Sequence, residues 1–168
     1  MTEIRLDVEA AGFVAETASA DERAIERLVR TYADVCDLGY DPDRLAPLFT
    51  EDAVWASSSE NGTSDFGVYE GNDAIRTFFA GVSSQIVHAH HIVMSPEIDV
   101  VVPHERATGR WNTIVAMKLA EDPFRQHEDE AKIMTAVYTH EYRCSDGVWR
   151  VARLDVHTQF DLRLRMVG

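Results

Sequence analysis

The chain has 168 residues, of which 45% are hydrophobic, enough for one ordinary domain with its own core, so disorder is not the default. Its 16 basic residues stand against 29 acidic ones, a net charge of -13, which repels phosphate backbones and anionic membranes and argues against nucleic acid as a partner. Cys36 and Cys144 lack a CxxC spacing, the start MTEIRLDVEAAGF lacks the pattern of an export signal, and no apolar stretch approaches the roughly 20 residues needed to span a bilayer; a reduced, cytoplasmic protein with no membrane segment is expected.

In chain order, residues 1–18 lack a clear period and are expected to form an N-terminal arm, leaving 19–168 as a single domain. Ser19 followed by Glu22 is a capping-box pattern, which predicts a helix start. Ile25, Leu28, Val29, Tyr32 and Cys36 then recur at helical spacing, and Gly39 ends the helix near Leu38. A short helical segment from Asp43 to Phe49 leads into a strand at Ala53-Val54-Trp55, and the polar run from Ser57 to Gly67 reads as a loop or flap. Asn72 is expected to cap a third helix carrying Ile75, Phe78, Phe79 and Val82. Strands are predicted over about 87–102, with a break at Ser95-Pro96, then 106–119, 131–144 and 148–160. Ser145-Asp146-Gly147 supplies a tight turn, and Glu121 to Glu130 a longer acidic loop.

Helices followed by long hairpin-connected strands predict an α+β domain: a curved, mixed or antiparallel sheet wraps around the N-terminal helices as a cone and encloses a pocket. Tyr32, Trp55, Phe79, Met94, Trp111, Met134, Tyr138 and Phe160 are the aromatic and thioether candidates for its lining. Tyr32 and Tyr138 carry the added interest that a buried phenol can polarise a carbonyl or protonate a leaving oxygen. Alternation along Val87-His88-Ala89-His90-His91 sends His88 and His90 to one face and His91 to the other. Two residues apart on a strand is feasible zinc-ligand spacing, but no third ligand accompanies His88 and His90, and they are expected at the surface or an interface. Arg153, Asp155 and His157, with Trp149 before them on the same face, form either a solvated or subunit face or the pocket mouth; Arg110 and Arg143 are available to pair with excess carboxylates.

Several segments occur together in a telling order: Tyr32-Ala33-Asp34 through Asp37, Leu48-Phe49-Thr50-Glu51-Asp52-Ala53-Val54-Trp55, Gly71 with Ile75 and Phe78-Phe79, His91, and Tyr142 through Asp146-Gly147-Val148-Trp149-Arg150. Over about residues 20–160 the chain thereby resembles the SnoaL-like branch of the NTF2-like superfamily. In scytalone dehydratase and lindane dehydrochlorinase, which share that fold, an aspartate ending the first helix pairs with a histidine on a strand; Asp37 and His91 occupy the matching places. The resemblance implies a cofactor-independent lyase or isomerase in which Asp37, His91 and Tyr32 act on a cyclic, largely apolar molecule such as a steroid, polyketide or terpenoid. The chemistry is sound, because an imidazole with a reference pKa of about 6.5 takes up a proton near neutrality and a carboxylate fixes its tautomer. Trp111 stands where scytalone dehydratase has a second catalytic histidine, so the substrate is expected to differ. The fold also serves non-catalytic ligand carriers and the small subunit of ring-hydroxylating dioxygenases, which need no dyad; the Asp-Arg-Asp arrangement of limonene epoxide hydrolase finds no match here. Relatives associate through the sheet face, so a homodimer is expected, with a homotrimer as the alternative.

Overall fold

The computed structural model describes residues 8–60, 62, 64–120 and 129–166, with side chains over 19–60, 62, 64–120 and 131–164. Helix α1 (Val8–Asp37) is followed by α2 (Pro42–Leu45), a 3-10 turn (Ala46–Leu48), β1 (Phe49–Ser59), β2 (Val68–Glu70), α3 (Asn72–Ser83), β3 (Ile86–Val102), β4 (Arg106–Leu119), β5 (Asp129–Ser145) and β6 (Val148–Met166). One curved sheet has the order β2-β1-β6-β5-β4-β3. It is mixed: β1 runs parallel to β6, and every other neighbouring pair is antiparallel.

Two helix starts differ from expectation. Helix α1 begins at Val8, so the expected arm is helical over 8–18, while residues 1–7 lie outside the described residues. The Ala- and Glu-rich run before Ser19 has high helix propensity without an apolar stripe. Ser19 therefore sits inside the helix, where its hydroxyl accepts a bond from Arg23. For α3 the cap is Gly71, at φ +84; Asn72 instead donates to the carbonyls of Ala46 (2.7 Å) and Phe49 (3.4 Å), tying the helix to the preceding turn. Strand β1 is longer than expected because pairing with β6 continues to Ser59↔Thr158, which shortens the flap.

Helix α1 lays Ile25, Leu28, Val29, Tyr32, Val35 and Cys36 against the inner face of the sheet, all of them buried. That face is drawn from alternate residues of the long strands, including Ala107, Trp111 and Val115 of β4 and Met134, Ala136, Tyr138 and Tyr142 of β5. Burying each large apolar side chain contributes about 1.5–3 kcal/mol. One end of the cone is plugged: the Trp111 indole donates to the Tyr142 hydroxyl at 3.1 Å, and a β-carbon on Gly109 would lie 2.9 Å from the Tyr142 ring. At the β5–β6 turn, Asp146 (φ 55) and Gly147 (φ 74) have the paired positive φ of a type I′ hairpin.

Three irregularities change which side chains face inward. Ser95-Pro96 bulges opposite Trp111, between the pairs Met94↔Asn112 and Glu97↔Arg110, so β3 bends and does not break. On β6, Tyr142↔Val151 is followed by Glu141↔Arg153, and Ala136↔Thr158 by Thr135↔Phe160. Ala152 and Gln159 are thus extra residues, and each reverses the inside-outside alternation of β6.

Candidate active site

The end of α1 builds the first half of the site. The amide of Tyr40 donates to the carbonyl of Val35 (3.1 Å) and that of Gly39 to Cys36 (3.2 Å), the paired bonds of a Schellman termination. Gly39 takes φ +104 and Tyr40 takes φ +57, which reverses the chain and buries the Tyr40 ring beneath the helix end. A positive φ at a tyrosine is held here by burial and by the terminating bonds. Asp37, in the last turn, faces β3. Its carboxylate lies 2.6 Å from His91 Nδ1 and accepts the His91 amide at 2.9 and 3.1 Å.

With the ionised carboxylate as acceptor, the neutral ring carries its proton on Nδ1 and donates it in this hydrogen bond, which leaves the lone pair on Nε2. Nε2 sits 3.4 Å from the Tyr40 hydroxyl, and the two rings meet edge-on at 5.9 Å. The His91 side chain is only 4% exposed. Burial acts to raise the pKa of Asp37, but the bonds from the His91 ring and amide outweigh it and hold the carboxyl below its ordinary range. The exposed His90 adds its Nδ1 at 3.3 Å from the other Asp37 oxygen.

His91 lines a cavity of about 1250 Å³ between the helices and the inner sheet face. Tyr32, Tyr40, Trp55, Phe79, Met134 and Tyr138 line it too. Burial pushes the phenols of Tyr32, Tyr40 and Tyr138 well above their ordinary value, so all three remain protonated donors. Tyr32 accepts the Trp55 indole N–H at 3.4 Å and also shares a hydrogen bond with the Cys36 side chain.

Three expected lining residues lie elsewhere. Met94 pairs with Asn112, on the strand face opposite that of His91. Trp111 belongs to the plug described above and not to the cavity wall. Phe160 is 56% exposed, because the bulge at Gln159 turns it outward. The bulge at Ala152 likewise separates Trp149 from Arg153, Asp155 and His157: Trp149 is buried and donates to Asp21 at 3.0 Å. Arg153 pairs with Asp155 at 2.6 Å, and His157 meets Ser58 at 3.0 Å. Arg143 makes two 2.8 Å bonds to Asp52, and Arg110 lies 3.6 Å from Glu97. His88 is exposed on the outer face, and among the described residues no group of three His, Cys, Asp or Glu side chains is arranged to hold a metal.

Two groups of residues escaped the sequence reading. Tyr40 was hidden by the chain reversal, although an aromatic just after a helix-ending glycine is a place where contact back to the helix is common. The other is a polar cluster on the cavity wall. Lys132 Nζ donates to Ser64 Oγ at 2.6 Å and lies 3.1 Å from Asp161 Oδ2, to which Ser64 also donates at 3.1 Å. Its ammonium sits 5.7 Å from the Phe66 ring centroid. The available signal was a lysine in phase with Met134, Ala136 and Tyr138 on the inward face.

An α+β cone whose cavity receives a histidine ring backed by a carboxylate defines a small-molecule-sized site on an NTF2-like scaffold. A family model for the SnoaL-like domain matches residues 17–155, and the chain belongs to that family. Solved structures share the fold. A hexachlorocyclohexane dehydrochlorinase, LinA type 2, is 21% identical, with 92% of this chain and 95% of that one covered and a TM-score of 0.76. A candidate scytalone dehydratase from Novosphingobium aromaticivorans is 23% identical over 92% and 94% of the two chains, at a TM-score of 0.75. A protein of unknown function with a cystatin-like fold from Nostoc punctiforme is 14% identical over 83% and 91%, at 0.63. No curated protein sequence matches the chain.

Proposed function

We propose that this protein is a cofactor-independent lyase or isomerase that moves a proton on carbon in a cyclic, largely apolar molecule, with His91 as base and Asp37 as its orienting partner. The observation that carries the reading is the 2.6 Å contact between Asp37 and His91 Nδ1 on a ring that lines the cavity. Nε2 would take the proton, and the electrons of the broken C–H bond would form the new double bond as the leaving group departs with its pair. In an isomerisation the same proton would return at another carbon. The protonated phenols of Tyr32 and Tyr138 suit donation to a leaving or developing oxygen. The names of two structural relatives, a dehydrochlorinase and a dehydratase, describe eliminations, which favours a lyase.

The reading is tested with hydroxylated steroids and polyketide-like ketones, measuring binding and turnover for wild type, Asp37→Asn and His91→Ala. Turnover lost in both folded variants, with binding retained, is the expected result. Turnover unchanged in either one would sink the dyad, and binding without any conversion would favour a ligand carrier.

A further inference from the structure

We propose that the cavity wall at Lys132 and Arg163 is an anion subsite, so that the substrate is an apolar ring system carrying an acidic oxygen group, such as a carboxylate, at the end remote from His91. The direction given to the substrate rests on the proposed role of His91; the subsite itself does not.

Among the described residues, the charged ones on the cavity wall are Asp73, His91, Lys132 and Arg163. Two of these are permanent cations, and they are register neighbours, Lys132 on β5 opposite Arg163 on β6. Their nearby carboxylate, Asp161, has a buried side chain but does not line the cavity. The ion pair therefore presents its positive member inward and keeps its negative member behind. In a chain of net charge -13, a buried lysine beside an arginine on a cavity wall that is otherwise largely aromatic and aliphatic stands out.

Burial makes the arrangement expensive unless it is used. The Lys132 side chain is 5% exposed, and an ammonium taken out of water needs partners for its three N–H groups. Ser64 and Asp161 supply two. A carboxylate in the cavity would supply further acceptors for Lys132 and a planar match for the Arg163 guanidinium.

The sheet fixes the spacing. His91 pairs with Val115, Val115 with Met134, and Met134 with Asp161, while Lys132 lies in the adjacent row with Met117 and Arg163. His91 and Lys132 are thus two strand spacings apart sideways and two residues apart lengthwise, about 12 Å between Cα atoms. Fused rings span that interval with an acidic group at one end and a reacting carbon at the other.

The test is calorimetric binding of 2-naphthoate and of its neutral amide, 2-naphthamide, at neutral pH. Wild type is expected to bind the carboxylate at least tenfold more tightly. That preference should vanish in Lys132→Met/Asp161→Asn, which removes both buried charges together, and shrink several-fold in Arg163→Gln, a change at an exposed side chain that serves if the double variant fails to fold. It should persist in His91→Ala. A carboxylate bound no more tightly than the amide, or not bound at all, overturns the subsite, as does a preference that survives in both Lys132→Met/Asp161→Asn and Arg163→Gln. A preference retained in His91→Ala without turnover by any form upholds the subsite while the catalytic reading fails.

Discussion

Asp37 grips His91 at two points, the ring Nδ1 and the backbone amide, and so fixes both the rotamer of the imidazole and the strand that carries it. The two effects separate in Asp37→Asn. The amide oxygen still accepts one N–H and preserves the strand contact, but the carboxylate that would stabilise an imidazolium is gone. Turnover should fall by about 10² to 10⁴ with the thermal midpoint little changed. His91→Ala should lose a similar amount, and the double variant hardly more, because the pair acts as a unit. Steady-state rates on the three variants, with circular dichroism as the fold check, decide this.

A second aspartate–histidine pair does different work. Buried Asp21 accepts the amide of His104 at 2.8 Å, its Nδ1 at 2.9 Å and the Trp149 indole at 3.0 Å, yet neither Asp21 nor His104 touches the cavity. It fastens α1 to the β3–β4 turn and to β6. Asp21→Ala should cost about 3 kcal/mol by stranding these donors, with Asp21→Asn costing less. Urea unfolding at neutral pH measures both, and catalysis in the folded fraction should be unaltered.

His140 is expected to make the fold sensitive to acid. It is fully buried, lies parallel to Tyr142 at 5.1 Å, and has no partner for Nδ1 among the described residues. Burial pushes its pKa down to about 3 from 6.5. Between those values the unfolded chain binds a proton that the folded chain refuses, so this contribution to stability is complete above about pH 6.5 and declines as pH falls. The decline approaches about 1.4 kcal/mol per pH unit. His140→Leu should flatten the dependence between pH 7 and pH 4, as measured by denaturant midpoints; an unchanged slope would place the acid sensitivity elsewhere.

Gly109 should resist even a methyl group. The added carbon would meet Tyr142 Cε2 at 2.9 Å, the Tyr142 hydroxyl at 3.1 Å and Trp111 Nε1 at 3.3 Å. Tyr142 has little room to withdraw, being 1% exposed and stacked on His140. Gly109→Ala is expected to destabilise the protein by about 1–3 kcal/mol, read as a lowered thermal midpoint.

Much of the architecture was legible because it rests on period. The stripe from Ile25 to Cys36 and the alternation that separates His91 from His88 and His90 are local patterns, and burial follows both. Other features depend on partners distant in sequence. The length of β1 comes from its parallel pairing with β6, and Asn72 reads as a cap until the carbonyls of Ala46 and Phe49 come within reach. Phe160 was the instructive miss. Strict alternation through Leu154, Val156 and Thr158 carries Phe160 inward, and one unpaired residue sends Asp161 there in its place. A bulge leaves no compositional mark at Gln159, so the polar cluster was invisible to any reading that assumes a regular strand.

Gln159 consequently acts as a frame for everything after it. Loss of that one codon would restore an unbroken β6 and exchange the two faces of its end, bringing Phe160, Leu162 and Leu164 inward and turning Asp161 and Arg163 out. Lys132 would then be left without its carboxylate against a newly greasy wall. Polarity at this end of the cavity wall thus has a route of change that needs no successive exchange of side chains: a single-residue deletion in the strand inverts it in one step.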